Sequence, residues 1–513
     1  MGSKMYVKVL LILLIFSALI SVQHGFANID YLPNQSAEYH RTISRNAATD
    51  AADIVNYNPA GTVFLRDGLY INAGNQIVPK LDYIITYQGQ EYKSEKPVWL
   101  LPDLYAVYKK GNIAFFGAFN VPAGGGSVNY KSGVPMMPMY VSLVKEAAIP
   151  IIQDQAAQEL DTFPIIGALF TYESALEEVQ NNVDLSGTTV TWDGGAIEGS
   201  SMYLAGTVGM AVKPMDALSL SLSVRVMYAL NTYKGYSAYI IDPIASGSGL
   251  YGPTVANGIN DAENETERVE LDASTSALGF GKIIGLDVRP FQLFGIKAFN
   301  LESLLVGLRF EDATVLKFKE KVNDGKDFAG MFVDGRKTNR DLPMLIAAGV
   351  HYDIMSWLSA SVSFTYYFLK MADNAEDTAE DVNVYDDDYG NPFDVSFGIE
   401  YKPFNWLKFG TGYQYTNTTG NKNTYNDLEF SLSCHTVGVG VAYKPLQDLT
   451  LNAGFSATIF AKQKEVTGQE AFQKKILAVG LGAEYVFFTG SNVDNTQDRK
   501  KDEKRKPMDM RLR

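Results

Sequence analysis

The chain has 513 residues, 44 Lys and Arg against 58 Asp and Glu, a formal charge of −14, 46% hydrophobic residues and a single cysteine, Cys434. An acidic chain argues against nucleic acid as a partner, and one cysteine excludes an internal disulfide. High Gly (45), Tyr (30) and Phe (28) favour an all-β protein.

Residues 1–27 read as a secretory signal peptide. Lys4 and Lys8 precede an apolar run from Val9 to Ile20, and Gly25-Phe26-Ala27 supplies small residues for cleavage. The run is too short to span a bilayer as a helix. An uncleaved anchor is the other reading. Residues 28–66 follow as a compact unit. Asn46 to Val55 is expected to form a short helix, capped by Asn46 or Thr49, and Asn58-Pro59-Ala60-Gly61 must end it. Such a unit can fold into a lumen as a plug, or remain a linker outside it.

From residue 67 onward, period-2 alternation dominates. Leu220, Leu222, Val224, Val226, Tyr228 and Leu230 take one face of a strand, and Ser219, Ser221, Ser223, Arg225, Met227 and Ala229 take the other. Fourteen such segments are expected: 69–78, 102–109, 112–121, 200–213, 217–239, 267–290, 302–318, 341–354, 357–370, 393–402, 405–417, 430–444, 448–461 and 474–488. Alternate connections are tight, 289–301 excepted, and the intervening ones are long and polar: 79–101, 122–199, 240–266, 319–340, 371–391, 418–429 and 462–473. That rhythm predicts a 14-stranded antiparallel transmembrane β-barrel in an outer membrane over 67–488, with long loops outside and both termini periplasmic. A soluble β-sandwich or a secreted adhesin alternates as well, without the short–long sorting. The last strand ends in Tyr485 and Phe487, a candidate signal for the barrel assembly machinery. Residues 489–513 carry eight basic and five acidic side chains and read as a disordered periplasmic tail.

In the long loop 122–199, helices are expected around Tyr140–Leu160 and Ile165–Val179. Met136, Met137, Met139, Ile149, Ile151, Ile152, Phe163, Ile166, Leu169 and Phe170 are candidates for an apolar groove, or simply pack the helices together. Arg225 and Arg309 face inward and are candidates for a ligand carboxylate. Glu311 and Glu400 also face inward, so a luminal salt-bridge network is the plainer reading. His351 faces inward as a structural residue. Gly117 and Gly124 are candidates for a weak point in the third strand. Gly-x-Ser-x-Gly and His-Glu-x-x-His are both absent from the sequence, so catalysis, a cofactor and a metal are not expected.

The ordered set of Asn58-Pro59-Ala60-Gly61, Leu69–Pro79, Phe116–Gly126, Ala205–Leu230, Asp341–Phe364, Tyr401–Tyr415 and Gly438–Phe455 resembles the FadL/TodX-type long-chain fatty-acid outer-membrane transporters. The resemblance implies a fourteen-stranded barrel with a luminal plug; a monomer in outer-membrane lipid is expected. The resemblance also implies passive uptake of long-chain fatty acids or similar hydrophobes, and lateral release through a kink in the third strand. The charged tail and the large third-to-fourth-strand loop depart from that pattern. A general porin and a surface adhesin are the competing functions.

Overall fold

The computed structural model describes residues 35–162, 171–261, 265–296, 298–327, 332–373, 390–421, 424–425, 427–428, 430–464 and 470–487. Residues 1–27, expected to be a signal peptide, residues 28–34, the charged tail and most of the acidic loop 371–391 lie outside them.

Fourteen antiparallel strands close into a barrel. They are β1 Gly68–Tyr87, β2 Val98–Lys110, β3 Ile113–Tyr130, β4 Thr189–Met215, β5 Leu218–Asp242, β6 Glu265–Val288 and β7 Leu305–Glu311. The second half comprises β8 Leu345–Met355, β9 Leu358–Tyr367, β10 Phe393–Phe404, β11 Leu407–Asn417, β12 Cys434–Leu446, β13 Leu449–Phe460 and β14 Glu470–Phe487. Each pairs with its neighbours in sequence, and β14 returns to β1, with Leu69 opposite Phe487. Closure gives every strand a partner on both sides over at least part of its length, as a lipid-spanning structure requires.

Alternation sorts the two faces as expected. On β5 the apolar set is exposed, and Ser219, Ser221, Ser223, Arg225, Met227 and Ala229 are buried inside. At the short-turn rim, exposed Trp357, Tyr401, Phe404, Trp406, Tyr443, Tyr485 and Phe487 form an aromatic belt.

Three expectations change. Several strands run well beyond the lipid-facing belt. β3 reaches Tyr130 and β4 starts at Thr189, so the third connection shrinks to 131–188. The first connection is largely a hairpin, because β1 continues to Tyr87 and pairs with a short strand at Gln90–Glu95. The seventh segment is broken. β7 stops at Glu311, Thr314 makes one bridge to Leu342, and pairing resumes in Lys317–Asp327 with Lys337–Asn339. Gly279 and Gly281 on β6 allow this, since a Cβ at Gly281 would lie 2.7 Å from the Thr314 hydroxyl that folds over it. Third, Asn46 to Val55 is not one helix. Helix α1 is Ala37–Thr42, capped by the Ser36 side chain, and α2 is Ile54–Tyr57, with turns between them. Arg45 holds Asp50 and Asp53 across those turns, and these ion pairs replace helix propensity.

The segment from Gln35 to Leu65 lies inside the ring. Helix α1 packs against β10 to β14 and β1, and the 3-10 turn Pro59–Phe64 packs against β2 to β6. Inward glycines make the room. A Cβ at Gly454 would lie 2.8 Å from the Ala37 carbonyl oxygen, and one at Gly349 would lie 2.8 Å from the Ala47 nitrogen.

Candidate functional site

Polar contacts tie the segment to the wall at many points. The Asn58 amide donates to Asp287 at 2.7 Å, and Ser219 donates to the Ala60 carbonyl at 2.9 Å. Ser44 and Ser363 share a 2.7 Å hydrogen bond, and the Ala52 N–H donates to Glu484 at 2.6 Å. Asn58 also accepts from the Ala60 N–H, and Pro59 begins the turn, where its missing N–H costs nothing. Gly61 has no room for a Cβ, which would meet the Ala48 carbonyl oxygen at 2.6 Å.

Beneath α1 lies a buried charge network. The Arg41 guanidinium donates to Glu400 at 2.9 Å and to Asn452. Lys408 bridges Asp50 at 2.8 Å and Glu400 at 3.3 Å. Glu38 accepts from Asn72 and Asn452, each at 2.8 Å. Burial, reinforced by Asp53, pushes the Glu38 carboxyl up to about 7. Burial also holds the His40 imidazole down at about 4, despite its contact with Gln76.

Above the segment is a cavity of about 340 Å³. Tyr39, Tyr57, Tyr83, Tyr367, Phe460 and Ile476 line it together with Arg225, Arg309 and Glu311. An aromatic and aliphatic cluster roofs it, including Leu81, Tyr130, Met137, Phe430, Leu432 and Phe472. A second cavity of about 610 Å³ lies at the short-turn mouth, lined by Asp50, Asp353, Glu400 and Lys408. The upper chamber is the more apolar of the two, although Arg225, Arg309, Glu311 and Asp394 face it, and the lower one is mainly polar.

One side of the upper cavity meets a discontinuity in the wall. The β2–β3 ladder ends at Leu104 opposite Phe119. Beyond it β2 continues on β1 alone, with Asp103 opposite Gly74 and Val98 opposite Val78. On its other side β3 slips register against β4 at Asn120–Ala123 and again at Gly124–Gly126. Gly124 and Gly125 have φ of 71° and 73°, a left-handed backbone that glycine adopts freely. Pro122 and Ala123 line the cavity at this point. The Asn120 amide donates to Asn56 at 2.7 Å, so the inner segment touches the break directly. Gly117 sits outside the break, in a continuous ladder opposite Ala106 and Val208.

Arg225 and Arg309 both line the cavity, and both pair with Glu311. His351 stands 3.3 Å from Asp353 near the short-turn mouth. In the long loop, helices α3 Met136–Met139, α4 Val141–Thr162 and α5 Tyr172–Asn182 are formed. Met137 is buried in the cavity roof, Met136 packs beside it, and Met139 is exposed. Ile149 and Ile152 pack in the cluster that joins α4 to α5. Phe163, Ile166, Leu169 and Phe170 lie outside the described residues. Sequence periodicity missed Tyr39, Tyr57, Tyr83 and Phe460. The inward glycines of consecutive strands were the available sign that something fills the lumen.

No protein-family sequence model and no curated protein sequence matches the chain. Solved structures do. A FadL homologue of Pseudomonas aeruginosa aligns at 14% identity, covering 89% of this chain and 98% of its own, with a TM-score of 0.54. The toluene transporter TbuX of Ralstonia pickettii aligns at 12% identity over 90% and 100%, with a TM-score of 0.55. TodX, the toluene transporter of P. putida, aligns at 13% over 86% and 97%, with a TM-score of 0.52. The chain therefore has the fold of the FadL- and TodX-type barrels.

Proposed function

We propose that the protein carries hydrophobic small molecules across the outer membrane of a diderm bacterium without energy input, and that long-chain fatty acids are the leading candidate substrates. The observation that supports this best is the apolar-roofed cavity that reaches the broken β2–β3 ladder at Pro122 and Ala123. A general porin needs an open polar lumen, whereas residues 35–65 occupy this one. In this reading the long loops face outward, both termini are periplasmic, residues 1–27 are removed, and the segment around Asn58–Gly61 acts as the plug. The loop helices near Met136 and Met139 capture the ligand, which passes into the cavity and leaves sideways past Gly124.

Arg225 and Arg309 share one carboxylate, Glu311, so these three side chains carry one net positive charge, and Asp394 lines the same cavity. That charge suits a ligand carboxylate. Neutral aromatic hydrocarbons are the second reading. Five aromatic rings line the cavity, and the structural neighbours TodX and TbuX are toluene transporters.

The deciding experiment titrates the purified barrel with a saturated long-chain fatty acid, a short-chain acid and toluene, in parent and Arg309→Met forms. Chain-length-dependent binding weakened in Arg309→Met supports fatty acids. Binding of toluene alone, indifferent to Arg309→Met, selects the aromatic class. Binding of none of the three refutes hydrophobe transport and favours the porin or adhesin.

A further inference from the structure

On the outer face of the long-loop rim, Lys317, Lys319 and Lys321 alternate along one strand, and Lys337 stands directly opposite Lys319. All four are exposed, while Phe318, Glu320 and Thr338 between them are buried inside. The register carries Lys319 to Ser276 and Ser276 to Leu230, the last of the outward apolar run on β5. Exposed Val315, Leu278 and Phe280 lie just below. The lysines thus begin where the apolar belt ends.

Like charges directly opposite one another destabilise an antiparallel pair. This row sits on a chain whose formal charge is −14, so general basicity does not explain it. Among the described residues, none of the four lysines forms an ion pair within 4 Å, and the nearby carboxylates have other partners, although Asp341 also feels the charge of Lys317. Glu320 faces inward to Arg336 at 3.0 Å, Asp272 pairs with Lys234 at 3.5 Å, and Glu270 pairs with Lys326 at 3.0 Å. Asp341 accepts from the Leu316 N–H at 2.9 Å, and Asp373 accepts from the Asn339 amide at 2.8 Å.

We infer that this lysine band docks the phosphate-bearing headgroup of a lipid in the leaflet around the long-loop rim, an inference that rests on the outer-membrane reading above. Clustered ammonium groups at a membrane edge recognise anionic headgroups. Lysine stems lie along the apolar belt while their heads reach outward. A phosphate among the four offsets their mutual repulsion.

The test uses the full mature chain folded into zwitterionic bilayers, with heat-modifiable electrophoretic mobility as the measure of insertion. The diphosphorylated glycolipid anchor of lipopolysaccharide is the probe, and the same lipid stripped of phosphate is the control. Retention of each lipid is read by native mass spectrometry, in the parent and in the combined variant Lys317→Gln, Lys319→Gln, Lys321→Gln, Lys337→Gln. The parent should prefer the phosphorylated lipid by about tenfold, and the Gln variant should lose that preference. The four corresponding Lys→Arg changes should retain it. Equal retention in parent and Gln variant, or no phosphate preference in an inserted parent, overturns the inference alone. A parent that does not insert overturns the membrane reading with it.

Discussion

Replacing Arg41 by Met should release the inner segment from the wall. Arg41 is 2% exposed and holds Glu400 at 2.9 Å and Asn452, with Asp50 at 3.5 Å. Met retains much of the volume and removes the charge and every donor. Breaking one side of a buried ion pair costs about 3–5 kcal/mol, because the other charge stays buried. Lys408 still lies 3.3 Å from Glu400, which puts the loss near the lower end, about 3 kcal/mol. A penalty of that size raises the undocked population by about 100-fold. Ser363 reports it, since Ser44 covers it at 2.7 Å. In a Cys434→Ser, Ser363→Cys background, a charged thiol reagent should react about 100-fold faster once Arg41 is Met. The barrel should keep its folded electrophoretic mobility. An unchanged reaction rate would refute the idea that this network anchors the segment.

Three further outcomes follow from the same contacts. Glu38, normally near 4.5, is held at about 7 by burial and then Asp53, so its docked form favours the proton. That stabilisation is complete below 4.5 and is lost as pH rises through 7, so Tm should fall between about pH 5 and about pH 8, and Glu38→Gln should flatten the fall. The same slope in Glu38→Gln would show that another group is responsible. Gly454→Leu should expel α1, because even a Cβ there lies 2.8 Å from the Ala37 carbonyl oxygen, and it should expose Ser363→Cys to the thiol reagent as Arg41→Met does. Asn120→Leu removes the hydrogen bond to Asn56, worth about 1 kcal/mol. Amides of Val121 and of residues 123–126 should then exchange faster, and unchanged protection would uncouple the inner segment from the break.

The faces of the strands were legible because alternation is local. Arg225, Arg309, Glu311, Glu400 and His351 were all expected to face inward, and each lies on the inward phase of its strand. The break in the wall was not legible in the same way. It depends on where β2 parts from β3 while staying paired to β1, a relation among three strands that no single segment encodes. Gly124 carried a partial sign, but Gly117 carried the same sign and sits in an intact ladder. The helix expected over Asn46–Val55 failed for a related reason. Arg45 holds both Asp50 and Asp53 across the turns, and these ion pairs outweigh helix propensity.

The polarity of the two chambers bears on the direction of exit under the proposed function. A ligand in the upper cavity has already shed its water, and each CH₂ returned to water costs about 0.8 kcal/mol. Leaving downward means displacing the inner segment and entering a mouth lined by Asp50, Asp353, Glu400 and Lys408. For a chain of about fifteen methylenes that route costs on the order of 12 kcal/mol in hydration alone. Leaving through the β2–β3 break returns the chain to an apolar medium without passing through water and avoids that cost. The break is framed on two sides, because Ser94 of the short strand Gln90–Glu95 pairs with Tyr130 of β3 above it and Asn120 holds Asn56 beside it. Under the proposed function, a gap bounded in this way is the exit for a slender apolar chain or a small ring. That frame depends on keeping the inner segment in place, so the segment and the break act as one device.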